Sequence, residues 1–424
     1  MKHVEIIPSS LKGTIKIPPS KSLSHRAVIA GSLCHGKSKI DNLLYSDDIT
    51  ATCEAMKNLG IHMNRIGEAL EINGPNHLKV LGREIECLES GSTLRFLIPI
   101  ALLTGQEVSF HGRGKLVSRP LDAYTKIMNE QNISYDYRGS LPITLKGRLK
   151  PGDFYVTGDV SSQYITGLLF VLPLLDGDSR IIITGPLESK GYVDLTMDIL
   201  NKFSIKVEHE EYKTFHIKGN QKYMPTDYRV EGDYSQAAFW IVAGTLGEST
   251  ACLDLDQNSS QGDKAVVDIV KAMGGNITLG NHTIITKKAQ THGVTIDAAQ
   301  CPDIIPVLTV LAALSEGKTE IINAARLRIK ESDRLKAITT ELNKLGADVS
   351  ELSEGLVING TSKLRGGIVE SWDDHRIAMA LAIASIKCTG PVVIKNSHAV
   401  SKSYPGFFQD FRSVGGKFHE WNMG

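Results

Sequence analysis

The sequence predicts an α/β protein built from six copies of one βαβαββ unit. Two observations lead to this prediction: a break between a helix and an apolar strand recurs along the 424 residues, and the segments between the breaks keep one order. The breaks lie at Gly60, Asn132, Ser204, Gly275, Gly346 and Gly416, with spacings of 72, 72, 71, 71 and 70 residues. Self-similarity at a nearly fixed period indicates one folding unit that has been copied.

Each copy begins with an apolar strand and a long apolar helix, continues with a strand and a more amphipathic helix, and ends with two strands. In copy one these segments are "GTIKI", "SKSLSHRAVIAGSL", "SKIDNL", "DDITATCEAMKNLG", "IHMNRI" and "ALEIN". The strands are rich in Val, Ile, Thr and aromatic residues, and the helices show apolar residues at the 3.6-residue period.

The sixth copy stops before its last strand, whereas residues 2–7 form an apolar strand that belongs to no copy. We therefore expect the N-terminal strand to complete copy six. Copies one to three form an N-terminal domain over residues 13–226, and residues 1–12 with 227–424 form a C-terminal domain with copies four to six. The two chain crossings would act as a hinge.

The composition argues against several classes of protein. Lys and Arg together number 47, as do Asp and Glu, so there is no overall field to attract nucleic acid or an anionic membrane. The six cysteines lack metal-ligand or paired spacing, which fits a reducing compartment without structural zinc or disulfides. The longest apolar stretches fall short of the roughly 18 residues that span a bilayer. We expect a soluble, cytoplasmic monomer.

Several cations stand at or near the predicted starts of helices, where they are unexpected. A helix N-terminus carries about half a positive charge, so a cation there is opposed by about 0.3–1 kcal/mol unless an anion is present. Such cations at equivalent places in a repeat predict an anionic ligand held where helix ends converge. The cations are Lys21, Arg26, Arg95, Arg119, Lys330, Arg334, Arg376 and Lys402.

Taken singly, the small polar residues at these helix starts favour a structural interpretation. Ser22, Ser92, Ser235 and Asp374 are each expected to cap the free N–H groups of a first turn. Asp303, which follows a proline, is also better explained as a cap from the sequence alone.

Three other features have structural explanations as well. Glu331 and Arg334, three residues apart, could form an ordinary helical ion pair worth about 0.2–0.5 kcal/mol. His25 could equally be a surface residue. Asp373, Asp374 and His375 could suggest a metal, but no third ligand has usable spacing, so we expect no metal site.

Seven motifs in order make the chain resemble the 5-enolpyruvylshikimate-3-phosphate synthase family. They are "PPSKSLSHR", "SRPLDAY", "SSQYITGLL", "PDIIPVLTVLAA", "RIKESDRL", "DDHRIAMALA" and "KSYPGFF". The resemblance implies a two-domain inside-out α/β barrel with its site in the cleft between the domains. It also implies enolpyruvyl transfer from phosphoenolpyruvate to the 5-hydroxyl of shikimate 3-phosphate, with a non-covalent tetrahedral intermediate, no cofactor and small molecules as the only partners.

The resemblance also assigns roles to residues at matching positions. The phosphoenolpyruvate contacts it implies are Lys21, Gly91, Arg119, Gln163, Glu331, Arg334, Arg376 and Lys402. The shikimate 3-phosphate contacts it implies are Lys21, Ser22, Arg26, Ser161, Ser162, Gln163, Ser189, Tyr192, Asp303 and Lys330. The transfer needs both a general acid and a general base. Glu331 and Lys21 would protonate and deprotonate the methylene carbon, and Asp303 would accept the proton of the 5-hydroxyl.

Four positions depart from the usual family pattern. Glu89, Ser92 and Phe96 surround the expected phosphoenolpyruvate loop, which leaves inhibitor sensitivity open, and Arg326 replaces a frequent Asn at the shikimate site.

Two other functions compete with this interpretation. The sister activity on a UDP-aminosugar usually carries a reactive Cys in the loop that here reads "GRGKLVSRP" without one. A non-catalytic anion-binding protein would be expected to lack the acid and base residues that this chain has.

Overall fold

The computed structural model describes residues 2–422, and its helices and strands follow the predicted order. The α-helices within that range are α1 (Lys21–Leu33), α2 (Asp47–Asn58), α3 (Gly91–Ala101), α4 (Asp122–Glu130), α5 (Ser162–Val171), α6 (Lys190–Lys202), α7 (Tyr234–Leu246), α8 (Ala265–Ala272), α9 (Ile305–Ala313), α10 (Arg334–Lys344), α11 (His375–Ala384) and α12 (Phe407–Ser413).

The strands divide equally among the repeats. The first half comprises β1 (Lys2–Ile7), β2 (Lys12–Lys16), β3 (Gly36–Asp41), β4 (His62–Ile66), β5 (Ala69–Gly74), β6 (Glu84–Glu86), β7 (Val108–His111), β8 (Ser134–Asp136), β9 (Ile143–Lys146), β10 (Asp153–Thr157), β11 (Ser179–Thr184) and β12 (Glu208–Glu210). The second half comprises β13 (Thr214–Ile217), β14 (Asp227–Arg229), β15 (Ser249–Leu253), β16 (Asn276–Gly280), β17 (Thr283–Lys287), β18 (Thr295–Asp297), β19 (Lys318–Ile322), β20 (Asp348–Leu352), β21 (Gly355–Asn359), β22 (Gly367–Glu370), β23 (Val392–Lys395) and β24 (Lys417–Asn422).

The strands form six four-stranded sheets with one topology. In the second repeat the order is β6-β7-β9-β8, and the third and fifth repeats give β10-β11-β13-β12 and β18-β19-β21-β20. In each of these sheets the first pair is parallel and the other two pairs are antiparallel. The prediction of six βαβαββ copies is therefore confirmed.

Three strands complete sheets far from them in sequence. β1 lies between β23 and β24 and is antiparallel to both, with Val4 opposite Ile394 and Glu420. β2 pairs in parallel with β15 of the fourth repeat, and β14 pairs in parallel with β3 of the first repeat. The first and fourth repeats have thus exchanged their first strands, which no local sequence pattern revealed.

The chain forms two compact units, which differ from the predicted domains by one strand at each crossing. The N-terminal unit is Pro19–Val230, and the C-terminal unit comprises the chain up to Pro18 and from Glu231 onwards. The predicted limits, 13–226 and 1–12 with 227–424, placed β2 and β14 in the opposite units. In the structure each of these strands belongs to the unit that contains its parallel partner. β2 pairs with β15 in the C-terminal unit, and β14 pairs with β3 in the N-terminal unit.

The recurring breaks are helix C-termini that share one hydrogen-bond pattern. At each break the residue in the left-handed region is Gly60, Asn132, Ser204, Gly274, Gly346 or Gly415, with φ between 56° and 97°. The next residue donates its N–H to the carbonyl five positions back, as a Schellman cap requires. These pairs are Ile61–Met56, Ile133–Met128, Ile205–Leu200, Gly275–Val270, Ala347–Leu342 and Gly416–Phe411, at 2.8 to 3.2 Å.

In two repeats the break lies one residue earlier than predicted. The left-handed residues are Gly274 and Gly415, whereas the sequence prediction chose Gly275 and Gly416. Both places carry two adjacent glycines, and either glycine can adopt positive φ at no steric cost. The sequence alone therefore does not distinguish them.

The first helix of most repeats lies inside the core of its unit. Every residue of α7, α9 and α11 is buried, and α3 and α5 are buried over nearly their full length. A helix that is apolar on all sides must be enclosed, so its free N–H groups at one end need polar partners.

No helix within residues 2–422 is long and apolar enough to cross a membrane.

Candidate active site

The capping residues of the first helices are mostly not those that the sequence predicted. Ser20 caps α1, Ser90 caps α3 and Asp233 caps α7, each two residues before the predicted Ser22, Ser92 and Ser235. These three predictions were wrong because the helices begin earlier than the motifs suggested. Asp374 was predicted correctly: it caps α11 by accepting the N–H of Arg376 at 2.8 Å.

Lys21 occupies the first position of α1 in the N-terminal unit. Its Nζ lies 2.9 Å from Asp48 Oδ2, and both side chains are largely buried. Asp48 belongs to the first turn of α2. The second helix of the repeat therefore holds this lysine at the start of the first helix.

Gly91, Arg119 and Gln163 are brought together from three separate motifs. A Cβ built on Gly91 would lie 2.8 Å from Arg119 Nη1 and 3.4 Å from Gln163 Oε1, so only glycine fits without a shift. Gln163 accepts a hydrogen bond from Arg95 Nη1 at 2.8 Å and donates Nε2 to Ser92 Oγ at 3.0 Å. Arg95, one of the unexpected cations near helix starts, had no role predicted from the sequence, but it is a direct neighbour of this group.

Arg26 is buried, and its hydrogen-bond partners among the described residues are neutral oxygen atoms. Its donors reach Thr196 Oγ1 at 2.8 Å, the Ser22 carbonyl at 2.8 Å, the Tyr192 carbonyl at 2.9 Å and Thr166 Oγ1 at 3.3 Å. These bonds use four of the five N–H groups of a guanidinium. Burial lowers the pKa of Arg26 to about 9.

Arg95 is the second buried guanidinium of this kind. It donates to Gln163 and, at 3.2 Å, to the Pro120 carbonyl, while its Nε has no partner among the described residues. Burial lowers the pKa of Arg95, and the neighbouring charge of Arg119 adds to this effect. Within residues 2–422 no carboxylate bonds to Arg26 or Arg95.

The remaining predicted residues of this unit lie at two helix starts. Ser161 caps α5 through its Oγ, which accepts the N–H of Gln163 at 3.3 Å, and Ser162 is the first helical residue. Ser189 stands at the N-cap position of α6 with φ of 55° and is fully buried. Tyr192 follows in the first turn, and its carbonyl accepts from Arg26. Ser161, Ser162 and Gln163 therefore share one helix start, and Ser189 and Tyr192 share the other.

A buried hydrogen-bond chain joins the starts of α1 and α3. His25 Nδ1 pairs with Thr52 Oγ1 at 2.7 Å, Thr52 pairs with Thr93 Oγ1 at 2.7 Å, and Thr93 donates to Ser90 Oγ at 2.8 Å. The alternative that placed His25 on the surface was wrong. Burial, with the charges of Lys21 and Arg26, holds the pKa of His25 well below its usual value, so the ring is neutral.

In the C-terminal unit, Arg334 is surrounded by three carboxylates. It donates Nε to Asp374 Oδ2 at 2.8 Å, Nη1 to Asp303 Oδ1 at 2.8 Å and Nη2 to Glu331 Oε2 at 2.7 Å. The arginine side chain is only 1% exposed. Burial opposes its charge, but Asp374, Glu331 and Asp303 together raise the pKa of Arg334 well above its usual value.

Asp303 receives three cations and does not cap a helix. Besides Arg334, Lys330 Nζ lies 3.4 Å from its Oδ1 and Arg376 Nη2 lies 3.7 Å from its Oδ2. Burial alone would raise the pKa of Asp303, but the three cations hold it well below the usual range. The capping interpretation was wrong, since α9 begins at Ile305 and has no side-chain cap.

Lys330 and Glu331 precede α10 and do not lie within a helix. The Glu331–Arg334 pair exists as predicted, but Glu331 lies in the turn before the first helical residue, so the pair is not one between successive turns of a helix. Burial lowers the pKa of Lys330, and the charges of Arg326 and Arg334 add to this, although Asp303 opposes it. Arg326 itself lies in the short helix 325–329.

Arg376 and Lys402 complete the group in this unit. Arg376 is buried, donates Nη1 to the Ser235 carbonyl at 3.0 Å and has no partner for its Nε among the described residues. Lys402 Nζ donates to the carbonyl of Asp373 at 2.6 Å. Each cation is thus aimed by a backbone carbonyl.

The structure adds Asp263, which was not among the residues predicted from the sequence. It is buried against Ser235, whose Oγ is hydrogen-bonded to its Oδ2. Burial raises the pKa of Asp263 to about 7, and the negative charge of Asp303 adds to this. No sequence signal marked it, because an aspartate before a helix is ordinarily a capping residue.

Comparisons with known proteins agree on one family. The model of the family described as EPSP synthase (3-phosphoshikimate 1-carboxyvinyltransferase) matches residues 6–411. A protein of Clostridium novyi (strain NT) named 3-phosphoshikimate 1-carboxyvinyltransferase is 59% identical over 434 residues, with 100% of both chains covered. One of the same name from Clostridioides difficile (strain 630) is 52% identical, again with 100% of both chains covered.

Solved structures show the same fold at lower sequence identity. An EPSP synthase structure from Acinetobacter baumannii matches with a TM-score of 0.84 at 24% identity, covering 100% of both chains. The enolpyruvyl transferase NikO from Streptomyces tendae matches with a TM-score of 0.82 at 17% identity, covering 100% of this chain and 99% of that one. The family model covers most of the chain and the curated relatives match it from end to end, so this chain belongs to the EPSP synthase family.

Proposed function

We propose that this chain carries out the reaction of its family with the residues described above. The reaction transfers the enolpyruvyl group of phosphoenolpyruvate to the 5-hydroxyl of shikimate 3-phosphate and releases phosphate, a step of the shikimate pathway to aromatic amino acids. The observation that best supports anionic substrates is the pair of buried guanidiniums, Arg26 and Arg95, which no described carboxylate neutralises. A buried unpaired charge is costly, and a bound anion offsets that cost.

The proposed phosphoenolpyruvate contacts combine point charges with forked donors. Arg side chains grip carboxylate or phosphate oxygens in pairs, whereas Lys supplies a compact charge. Gly91 admits the substrate because its missing side chain leaves space beside Arg119. The residues we propose for this substrate are Lys21, Gly91, Arg119, Gln163, Glu331, Arg334, Arg376 and Lys402.

The proposed shikimate 3-phosphate contacts are richer in hydroxyl and backbone groups. The start of α5 offers Ser161, Ser162 and Gln163, and free N–H groups at a helix start suit a phosphate. Asp303 and Lys330 would contact the ring hydroxyls. The full set we propose is Lys21, Ser22, Arg26, Ser161, Ser162, Gln163, Ser189, Tyr192, Asp303 and Lys330.

The proton transfers are divided among three groups. Asp303, kept ionised by its three cations, would accept the proton of the attacking 5-hydroxyl. Glu331 and Lys21 would place a proton on the methylene carbon and remove one when phosphate leaves. Between these steps both substrates are joined in a tetrahedral intermediate that is not covalently attached to the protein.

Phosphate release tests the assignment directly. Purified protein is mixed with phosphoenolpyruvate and either shikimate 3-phosphate or a UDP-aminosugar, and we expect turnover only with the shikimate acceptor. Glu331→Gln is expected to reduce kcat by about 10²–10⁴-fold, the usual value of a positioned acid or base. Unchanged turnover of a folded Glu331→Gln variant would remove Glu331 from the mechanism.

We also infer a monomeric, cytoplasmic enzyme in which each compact unit is one domain. The six buried and unpaired cysteines support a reducing compartment. Sedimentation of the purified protein at micromolar concentration checks the oligomeric state, and a mass of about twice 46.2 kDa would contradict it.

A further inference from the structure

The segment between β22 and α11 holds two adjacent residues in an unfavourable backbone conformation. Trp372 has φ of 56° and Asp373 has φ of 50°. The left-handed region costs a non-glycine residue roughly 1–2 kcal/mol, and bulky residues adopt it rarely. Two such residues in succession persist only where surrounding contacts impose the conformation, and strain of this kind often marks a functional site.

Glu341 makes two of the contacts that hold this segment, and Ser371 Oγ makes another by accepting the Asp373 N–H at 3.2 Å. The Glu341 carboxylate is 1% exposed on α10, and its Oε1 accepts the indole Nε1–H of Trp372 at 2.7 Å. Its Oε2 accepts the backbone N–H of Glu370 at 3.0 Å. Lys344 Nζ neutralises it at 2.8 Å. Glu341 therefore fixes the loop at its start and at its strained centre.

The strained loop in turn fixes three of the proposed substrate-binding cations. The carbonyl of Asp373 accepts Lys402 Nζ at 2.6 Å. The next residue, Asp374, accepts Arg334 Nε at 2.8 Å and the backbone N–H of Arg376 at 2.8 Å. Any relaxation of Trp372 and Asp373 toward ordinary backbone angles would turn these acceptors away from their cations.

We propose that Glu341 is a positioning residue, which acts through the indole of Trp372 to aim the anion-binding side chains Arg334, Arg376 and Lys402. The helix that carries Glu341, α10, begins at Arg334. It therefore holds Arg334 in its first turn, and through Glu341 near its C-terminus it holds the segment that positions Arg376 and Lys402. The inference rests on the proposed phosphoenolpyruvate role of these cations. It assigns a role to a buried carboxylate and an aromatic donor that belong to neither proposed set of substrate contacts.

The first variant is Trp372→Phe, which removes only the indole donor and leaves an aromatic ring in place. Glu341 keeps Lys344 and the Glu370 N–H, so the fold is expected to persist. We expect KM for phosphoenolpyruvate to rise about tenfold, as for the loss of one hydrogen bond to a charged group, while KM for shikimate 3-phosphate changes less than about twofold. Trp421→Phe, on β24, is the matched control and should change neither.

A double-mutant cycle separates positioning from general damage. Glu341→Ala alone should raise the same KM, and adding Trp372→Phe to it should cause no further rise, because Glu341→Ala has already removed the Trp372–Glu341 bond. Lys344→Ala, which removes the exposed partner of Glu341 but not the indole bond, should leave KM nearly unchanged. Additive effects, or an equal rise of both KM values in Trp372→Phe, would overturn the proposal.

Binding of inorganic phosphate by calorimetry gives an answer that does not depend on turnover. If the wild-type protein bound phosphate but transferred no enolpyruvyl group, the proposed function would fail while the positioning role could still be judged. The proposal requires Trp372→Phe to weaken phosphate binding about tenfold relative to wild type and Trp421→Phe. Equal affinity of all three proteins would exclude it.

Discussion

Arg334 and Asp374 are bonded through Nε and Oδ2 at 2.8 Å, and both side chains are almost completely buried. The bond joins the first residue of α10 to the residue that caps α11. Asp374 uses its other oxygen to accept the N–H of Arg376, so one carboxylate sets the positions of two proposed substrate-binding arginines. Removing Arg334 would leave Asp374 as an uncompensated buried charge, which typically costs 3–5 kcal/mol.

Arg334→Lys tests whether activity and stability depend on the forked shape of the guanidinium in addition to its positive charge. A lysine has one nitrogen and cannot replace three bonds to Asp374, Asp303 and Glu331. We expect kcat/KM to fall at least about 100-fold and the free energy of unfolding to fall by about 2–4 kcal/mol. Urea unfolding and steady-state kinetics measure the two losses.

Arg328→Lys is the matched control for that variant. Arg328 also pairs with two carboxylates, Asp333 and Glu351, but this group is more exposed. Exposed ion pairs are worth about 0–1 kcal/mol, so both stability and kinetics should stay close to wild type. Similar losses in Arg328→Lys and Arg334→Lys would show that burial of the Arg334 cluster has no special effect.

Asp303 makes a prediction about pH. Its folded-state pKa lies well below the unfolded value of about 3.9, so its contribution to stability is present above pH ~4 and is lost as the pH falls through the folded-state pKa. The difference in unfolding free energy between wild type and Asp303→Asn should therefore be constant from neutral pH to about pH 5 and shrink in stronger acid. A difference that instead grows on acidification contradicts the assigned shift.

Asp303→Asn should also lose turnover at every pH, since an amide cannot accept the hydroxyl proton. A loss of about 10²–10⁴-fold in kcat is expected. Asp297→Asn is the matched control. It makes the same Asp-to-Asn change on the neighbouring strand β18, outside the cation cluster, and should retain activity. If Asp303→Asn kept more than half of the wild-type kcat, another group would have to be the base.

The cysteines give a prediction that needs no substrate. All six are buried and unpaired, and burial raises the pKa of Cys34, Cys53, Cys301 and Cys388 to about 12 in each case. The thiolate is the reactive form, so the native protein should resist alkylation at pH 8 and remain active. A thiol titration should find six reactive groups only after unfolding; one fast-reacting thiol whose alkylation stops turnover would contradict this.

The repeats and their order could be predicted from sequence because each helix end carries its own local signal. Gly60, Asn132 and Gly346 are residue types that tolerate positive φ, and each is followed by an apolar residue that directly precedes the next strand. The exchange of β2 and β14 had no such signal. Both are short strands, and the partner that each pairs with depends on how the sheets pack and not on a local pattern.

The candidate site was predictable in its residues but not in its contacts. Cations at helix starts were unusual enough to be noticed, and the family resemblance then assigned Arg334 and Arg376. Capping was predicted poorly because Ser20 and Ser22 are chemically alike, and the sequence does not show at which of them the helix begins. Asp263, just before α8, and Glu341, within α10, have ordinary structural explanations until their burial against a partner is known.

Gly60→Ala tests whether the recurrent helix caps contribute to stability. Gly60 has φ of 92°, and a Cβ there would lie 2.9 Å from the Lys79 carbonyl oxygen, a contact that backbone atoms cannot easily relieve. We expect the free energy of unfolding to fall by about 1–2 kcal/mol, the cost of a left-handed alanine, with kcat/KM unchanged.

Gly406→Ala is the control, because that glycine has φ of −83° and an added Cβ would be at ordinary contact distance from Tyr404. Alanine at position 406 should be neutral or slightly stabilising, since it restricts the unfolded chain. Urea unfolding of both variants measures the difference, and equal stability of the two would show that the left-handed position at Gly60 carries no cost.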